Sequence, residues 1–321
     1  MEPTAIGKIM KGVGGLYTVR LLTEGNLPIG EQVLCRARGS FRHEGVTPLP
    51  GDTVTLLLSD SAEGASPAKG ERAGAVIDAI HERKNALIRP PLANLDVLFI
   101  TMAAASPTPI LATVDKLIAI AEFNGIEPVI VITKAELAPD YAKALCESYR
   151  RCGFDCFVTS AMENTGVDPV HRYIKERLPG KIAAFAGASG IGKSTLMNRL
   201  FPDLQLSTSE ISRKIERGRH TTRQVELFCL SEEADCGYIA DTPGFSMLDF
   251  ERFDFFDKED LPTTFREFVP HIGSCRYTKC SHTKEEGCAI LEAVRNGEIP
   301  KSRHESYVEL FDTLKAKKKW S

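Results

Sequence analysis

Eight consecutive residues carry the strongest chemical signal in the sequence. Gly187-Ala188-Ser189-Gly190-Ile191-Gly192-Lys193-Ser194 has the spacing G-x-x-x-x-G-K-[ST]. Small residues in such a loop let backbone N–H groups wrap a polyphosphate, and the helix that follows adds its positive end. The flanks agree, since 182–186 reads as a buried strand leading in and 194–200 as a helix leading out. Lys193 then reaches the β- and γ-phosphates, Ser194 ligates Mg²⁺, and Thr195 joins the nucleotide-binding set. A chance glycine-rich turn has no reason to carry both flanks. The pattern implies a nucleoside triphosphate site.

A second signal is Asp241-Thr-Pro-Gly244, after the apolar strand 236–240. An aspartate at that strand end can hold Mg²⁺ through water, and a glycine three residues on can offer its N–H to the γ-phosphate. Together they distinguish triphosphate from diphosphate. Between the two motifs lies Gly218-Arg-His220-Thr221-Thr222, and Thr222 is placed to complete a Mg²⁺ shell with Ser194 and Asp241.

Base selection needs a third element. Thr133-Lys134-Ala135-Glu136 follows the strand 127–132, and Ser160-Ala161 follows the strand 154–158. In the N-K-x-D pattern of GTPases the carboxylate accepts from guanine N1–H and the 2-amino group, donors that adenine lacks. Glu136 keeps the carboxylate with one more methylene, whereas Thr133 lacks the amide. These two segments precede the phosphate loop here, the reverse of the usual order. Because the elements sit on adjacent strands of one sheet, a circularly permuted chain can assemble the same site. The permutation also leaves Asp241 and Gly244 just upstream of the C-terminal segment, so a γ-phosphate-dependent movement would pass into it.

The hydrolytic residue is less evident. Where many GTPases place a water-orienting glutamine after the glycine of D-x-x-G, this chain has Phe245. Slow intrinsic turnover that a partner must complete is the expectation. His220 is the nearest polar candidate to orient water and serves equally as a basic contact to RNA.

Near the C-terminus, Cys275-x₄-Cys280-x-His282-x₅-Cys288 places three thiols and one imidazole within one short stretch. That set suits a closed, tetrahedral structural Zn²⁺ site. Cys35, Cys146, Cys152, Cys156, Cys229 and Cys236 fall in strand and helix patterns and read as small core residues. Cys152 and Cys156 have no nearby histidine and are not read as a site.

The elements that must position these residues follow from periodicity. Short β-branched stretches at 5–10, 16–22, 32–37, 53–58 and 74–80, with Gly- and Pro-rich breaks, suit a five-stranded OB-fold barrel. Tyr17 and Phe41 are its only aromatics, so backbone or shape recognition, or a purely structural barrel, fits better than base stacking. From residue 95 the pattern alternates. Strands at 95–102, 127–132, 154–158 and 182–186 are separated by helices at 110–123, 140–151 and 168–177. That is a doubly wound, mostly parallel α/β domain. The expected division is 1–85 barrel, 86–248 permuted GTPase domain and 249–321 mostly helical zinc-binding domain.

The 321 residues, 43% apolar and 26% charged, describe an ordinary globular chain and exclude disorder and coiled coil. No apolar run approaches the ~18 residues of a membrane span. The first twenty residues have no signal-peptide core, and nine cysteines without an export signal read as reduced thiols or metal ligands. A cytoplasmic protein without a membrane partner, and a monomer, is expected. The net charge of −3 gives no bulk pull toward nucleic acid. Arg213, Lys214, Arg217, Arg219 and Arg223 nevertheless cluster against Glu216 alone, and Lys315 with Lys317, Lys318 and Lys319 forms a second patch. Either patch is a phosphate contact or a solvated surface.

Taken together, the chain resembles the ribosome small-subunit-dependent GTPase family of the RsgA (YjeQ/YloQ) type. The resemblance runs over nearly the whole length. It includes Pro50-Gly51-Asp52, Arg89-Pro-Pro, Ala93-Asn94-Leu95-Asp96, the permuted motifs, Gly218 to Thr222 and the Cys/His spacing. It implies an N-terminal OB-fold, a circularly permuted GTPase domain and a C-terminal zinc domain. It also implies GTP hydrolysis stimulated by the small ribosomal subunit and its rRNA, late in the maturation of that subunit. Thr133 for Asn and Glu136 for Asp are departures that bear on guanine selectivity. Two other readings stand beside it: an RNA-binding assembly chaperone gated by GTP and GDP, and a P-loop kinase or ATPase. Glu136, Ser160-Ala161 and the lack of an acceptor site disfavour the last.

Overall fold

The computed structural model describes residues 4–23, 28–43, 45–58, 72–88, 90–202, 225–231, 233, 236–241 and 256–316. They pack as two compact units, each drawn from several stretches of chain.

The first unit draws on Met1–Val97, Tyr173–Ala184 and Leu204–Phe245. Five strands form its barrel: β1 (Thr4–Val13), β2 (Leu16–Leu21), β3 (Gln32–Ala37), β4 (Thr53–Leu58) and β5 (Arg72–Ile80). A one-turn helix α1 (Ser40–His43) follows β3. The ring closes as β1–β2–β3–β5–β4–β1, with β3–β5 its parallel pair. Alternate residues point inward, so Ile9, Val19, Leu21, Val33, Val54, Leu56 and Ile77 fill the barrel. Tyr17 and Phe41 pack into or against that core, which leaves neither as an open stacking surface.

Below the barrel, the chain turns through Pro50-Gly51-Asp52. Gly51 has φ +90°, and a Cβ there would come 2.1 Å from the Ala93 carbonyl oxygen, so only glycine fits. Asp52 is fully buried. Its two oxygens accept from Arg83 Nε and Nη2 at 2.7 Å each, and Oδ2 also accepts from the Leu49 N–H. Asn94 donates to the Gly51 carbonyl at 3.0 Å and accepts from the Lys84 N–H. A short hairpin, β6 (Ala86–Ile88) and β7 (Pro91–Ala93), bridges the Arg83 and Asn94 sides of this joint. Beyond it β8 (Leu95–Ala103) begins.

The same unit contains strands of the α/β sheet. β11 (Ile182–Ala186) runs parallel to β13 (Tyr238–Asp241). β12 (Glu226–Cys229) is antiparallel to β13 and touches β1 through Lys11 and Glu226, an ion pair of 3.1 Å.

The second unit draws on Leu98–Arg172, Phe185–Asp203 and Ser246–Ser321. Its strands β9 (Glu127–Thr133) and β10 (Asp155–Val158) are parallel, in the order β10–β9–β8. Helices α2 (Leu111–Phe123), α3 (Pro139–Arg151), α4 (Val167–Arg177) and α5 (Lys193–Leu200) connect them. Both faces are covered, so β9 is buried from Pro128 to Thr133, as a near-continuous apolar strand requires.

The C-terminal segment consists of short 3₁₀ turns, then α6 (Ala289–Arg295) and α7 (Lys301–Ala316). α7 lies on α2 and is fixed there by a buried charge cluster. Arg303, 2% exposed, pairs with Asp115 of α2 at 2.5 Å and with Glu267 at 2.6 Å. Tyr149 of α3 donates to the same Asp115 oxygen at 2.9 Å. Among the described residues, no helix is long and apolar enough to cross a membrane.

Candidate nucleotide site and Cys/His cluster

The phosphate loop leaves β11 at Gly187 and enters α5 at Lys193. Gly187, Gly190 and Gly192 have φ of +149°, +78° and +90°, conformations that L side chains rarely adopt. Space is equally decisive at Gly187, where a Cβ would lie 2.4 Å from Thr101 Oγ1. Thr101 is buried on β8 and donates to the Ala186 carbonyl at 2.6 Å, buttressing the loop from below. Ile191 plugs inward at 3% exposure, while Ala188, Ser189 and Gly190 form an exposed crest. Ser194 and Thr195 are exposed on the first turn of α5, with Lys193 half-buried beside them. That turn contains no acidic residue, so the positive end of the helix is not neutralised by its own side chains.

Thr133 ends β9 and is 3% exposed. Its hydroxyl faces two acceptors, the Ile191 carbonyl of the phosphate loop and the Met102 carbonyl. Lys134 adopts φ +53° and directs its ammonium to two further carbonyls, Gly190 at 2.6 Å and Ser106. The 133–136 segment is thereby tied to the loop at 187–192. Glu136 follows in a 3₁₀ turn, Ala135–Leu137, and its Oε2 is buried with no hydrogen-bond partner. A buried carboxylate oxygen left open is costly unless something donates to it, and guanine N1–H and 2-amino groups are donors of the right kind.

Ser160 is 1% exposed. Its backbone pairs reciprocally with Thr165 at 2.9 Å, and its Oγ accepts from the Glu163 N–H. The Ala135 N–H donates to the Thr159 carbonyl, joining this turn to the 133–136 segment. Ala161 follows at the half-exposed rim. Asp241 terminates β13 in the first unit. His220, Thr222, Gly244 and Phe245 lie outside the described residues, as does the basic run 213–223.

Cys275, Cys280, His282 and Cys288 converge, their ligating atoms all within 4.8 Å of one another. Cys275 Sγ and Cys288 Sγ are 3.8 Å apart, and each lies 3.5 Å from His282 Nδ1. Zn–S bonds of about 2.3 Å and Zn–N bonds of about 2.0–2.1 Å place tetrahedral ligands about 3.5–3.8 Å apart. The donor set and its spacing are compatible with a zinc site. Burial lowers the His282 pKa and favours the neutral imidazole that can ligate.

The support for this cluster was not evident in the sequence. His304 Nε2 donates to the His282 carbonyl and Tyr307 to the Ser281 carbonyl, both at 2.8 Å. Glu285 accepts from the N–H groups of Ser281, Thr283 and Lys284 and from the Ser281 hydroxyl. Partial burial pushes its carboxyl up, but donation from Ser281 and the backbone prevails and holds it at about 2. Thr101 was missed for a related reason: a threonine within an apolar strand reads simply as strand.

Comparison with known proteins agrees with this geometry. The RsgA GTPase family model matches residues 80–251, and the RsgA N-terminal domain model matches residues 6–65. A Small ribosomal subunit biogenesis GTPase RsgA from Ruminiclostridium cellulolyticum is 40% identical over 97% of this chain and 94% of that protein. The Bacillus subtilis protein of the same name is 36% identical over 97% and 98%. Among solved structures, YloQ, described as a circularly permuted GTPase, matches at a TM-score of 0.75 with 33% identity, covering 98% of this chain and 96% of that one. YjeQ from Thermotoga maritima matches at 0.78 with 31% identity, covering 98% and 100%. With residues 80–251 and 6–65 both matched by its models, and relatives 40% and 36% identical over nearly the whole length, the chain belongs to the RsgA GTPase family.

Proposed function

We propose that this chain hydrolyses GTP during biogenesis of the small ribosomal subunit, and that contact with the subunit and its rRNA accelerates the reaction. The observation that carries the nucleotide half is the pair of ties from Thr133 and Lys134 to the Ile191 and Gly190 carbonyls. They tie residues 133–134 to the loop at 190–191, which supports reading the two segments as one site despite their reversed order. The ribosomal half rests on the names of the relatives.

In this reading residues 187–195 bind the phosphates, with Lys193 neutralising the charge on the β- and γ-groups. Glu136 accepts from the guanine edge, and Ser160 with Ala161 closes its rim. Ser194, Asp241 and Thr222 are the residues that would hold Mg²⁺, which when bound would offset charge on the phosphate oxygens. Gly244 reports the γ-phosphate, and His220 orients the attacking water. Phe245 cannot do so, which accounts for low turnover without the subunit. Cys275, Cys280, His282 and Cys288 hold one structural Zn²⁺ that supplies no chemistry to hydrolysis. The barrel at 1–85, the GTPase domain at 86–248 and the zinc domain at 249–321 are the working parts of a cytoplasmic monomer.

The test is steady-state hydrolysis of GTP, with ATP as control, in the presence and absence of purified small subunits. A large increase confined to GTP is expected. Binding of the subunit without any increase would instead make the protein a nucleotide-gated chaperone.

A further inference from the structure

His282 is held in a backbone conformation that its own side chain disfavours. Its φ is +59°, in the left-handed region, where a residue with a Cβ persists only when its surroundings over-determine it. The carbonyls of this turn, those of Ser281 and His282, are both gripped from outside the 275–288 segment. Tyr307 donates its hydroxyl to the Ser281 carbonyl and His304 Nε2 donates to the His282 carbonyl, each at 2.8 Å. The donors lie 26 and 22 residues further along the chain. Three residues apart on α7, they share one face of that helix.

The two donors are themselves fixed by packing. Tyr307 is fully buried, with the rings of Phe265 and Phe268 at 5.3 and 4.8 Å between centroids. His304 packs on Phe268 at 6.3 Å and on Tyr307 at 6.2 Å. At the other end of the arrangement, the His282 nitrogen that faces the thiols is Nδ1, 3.5 Å from both Cys275 Sγ and Cys288 Sγ. Nδ1 is the ring nitrogen nearer the main chain, so a shift of the backbone at 282 passes directly to it. Glu285 orders the same turn from within, through the N–H groups of Ser281, Thr283 and Lys284. As an acceptor it cannot hold the carbonyls, and α7 does that.

We propose that His304 and Tyr307 are positioning residues for the metal. By clamping the Ser281 and His282 carbonyls, they keep the His282 imidazole against the thiols and set how slowly a bound Zn²⁺ leaves. Neither side chain is a ligand; each acts through the backbone of a turn that carries one. The inference rests on the reading of Cys275, Cys280, His282 and Cys288 as a zinc site. Groups that orient metal ligands without touching the metal commonly change its affinity by about 10–100-fold when removed.

The test follows transfer of zinc from the full-length, zinc-loaded protein to a chromogenic chelator. Tyr307→Phe deletes one hydroxyl and keeps the ring beside Phe265 and Phe268. His304→Phe deletes the other donor and keeps an aromatic ring, whereas His304→Gln keeps an N–H donor without the ring. Zinc should leave Tyr307→Phe and His304→Phe about tenfold faster than the wild type, and His304→Gln should recover most of the difference. The visible spectrum of the cobalt-substituted protein reports ligand geometry, so it should shift in the two fast variants. A loss of packing alone would lower the urea midpoint without moving that spectrum. Wild-type rates in both phenylalanine variants, an unshifted cobalt spectrum, or zinc loss from His304→Gln as fast as from His304→Phe would overturn the proposal. A wild-type protein that purifies without zinc and takes none up would overturn the zinc-site reading, and this proposal with it.

Discussion

The nucleotide site and the Cys/His cluster solve the same problem in opposite ways. The cluster takes all four ligating groups from residues 275–288, and those of Cys275, His282 and Cys288 already lie at the separations a tetrahedral metal needs. The nucleotide site gathers segments as distant as Met102, Thr133, Ser160 and Ile191, so its geometry depends on the sheet beneath it. A local site therefore fails alone, whereas a dispersed site fails with the packing that supports it.

Substitutions can break that comparison at graded strength. The largest effect is expected from Gly187→Ala. Its Cβ would meet Thr101 Oγ1 at 2.4 Å and Ile191 Cδ1 at 2.5 Å, forcing the loop off its cradle. Affinity for labelled GTP should fall by about a hundredfold, while chelator-accessible zinc stays unchanged. Zinc exposed in that variant would mean that the two sites are not independent.

Next comes Arg303→Ala, which strands Asp115 and Glu267 without their buried partner. Removing one member of a buried ion pair costs about 3–5 kcal/mol, to be read from urea midpoints. The loss should extend to the α/β unit, since Arg303 joins α7 to α2. A loss confined to the 256–316 segment would contradict this packing.

The smallest effect belongs to Glu285→Gln. The Glu285 carboxyl sits at about 2 in the fold against 4.5 for the free group. Its folded pKa is depressed, so its stabilising contribution is complete above about pH 4.5 and fades as pH falls toward 2. Glu285→Gln should flatten the acid limb of stability across that window. Hydrogen exchange in residues 281–288 would register it, and an unchanged acid limb would refute it.

Much of this architecture was legible in the sequence because its signals are short-ranged. Thr53–Leu58 alternates half-buried and buried residues as its pattern suggests, and all five barrel strands fall within a few residues of the stretches read from periodicity. Glycines at 187, 190 and 192 are diagnostic because the backbone requires positive φ there. The β6–β7 hairpin was not legible, since three residues per strand are too few for alternation to register. Nor was β12, a four-residue strand. Arg303 was hidden for a different reason. A lone arginine in a helix reads as solvated, and only the fold brings it to Asp115, 188 residues away. Thr133 illustrates the same limit at the site itself. The sequence suggests a weakened base reader, whereas the structure engages its hydroxyl with the Ile191 and Met102 carbonyls.

In the proposed reading, Glu136, with its buried and unpartnered Oε2, is the group on which guanine selection turns. The most direct test is competition of GTP and ATP against a fluorescent GDP, in wild type and in Glu136→Ala. Loss of the carboxylate should weaken GTP by about tenfold or more while leaving the weak ATP competition unchanged, so that the preference collapses. Equal weakening of both nucleotides, or an unchanged GTP-to-ATP ratio, would show that the segment upstream of the phosphate loop is not the guanine half of this site.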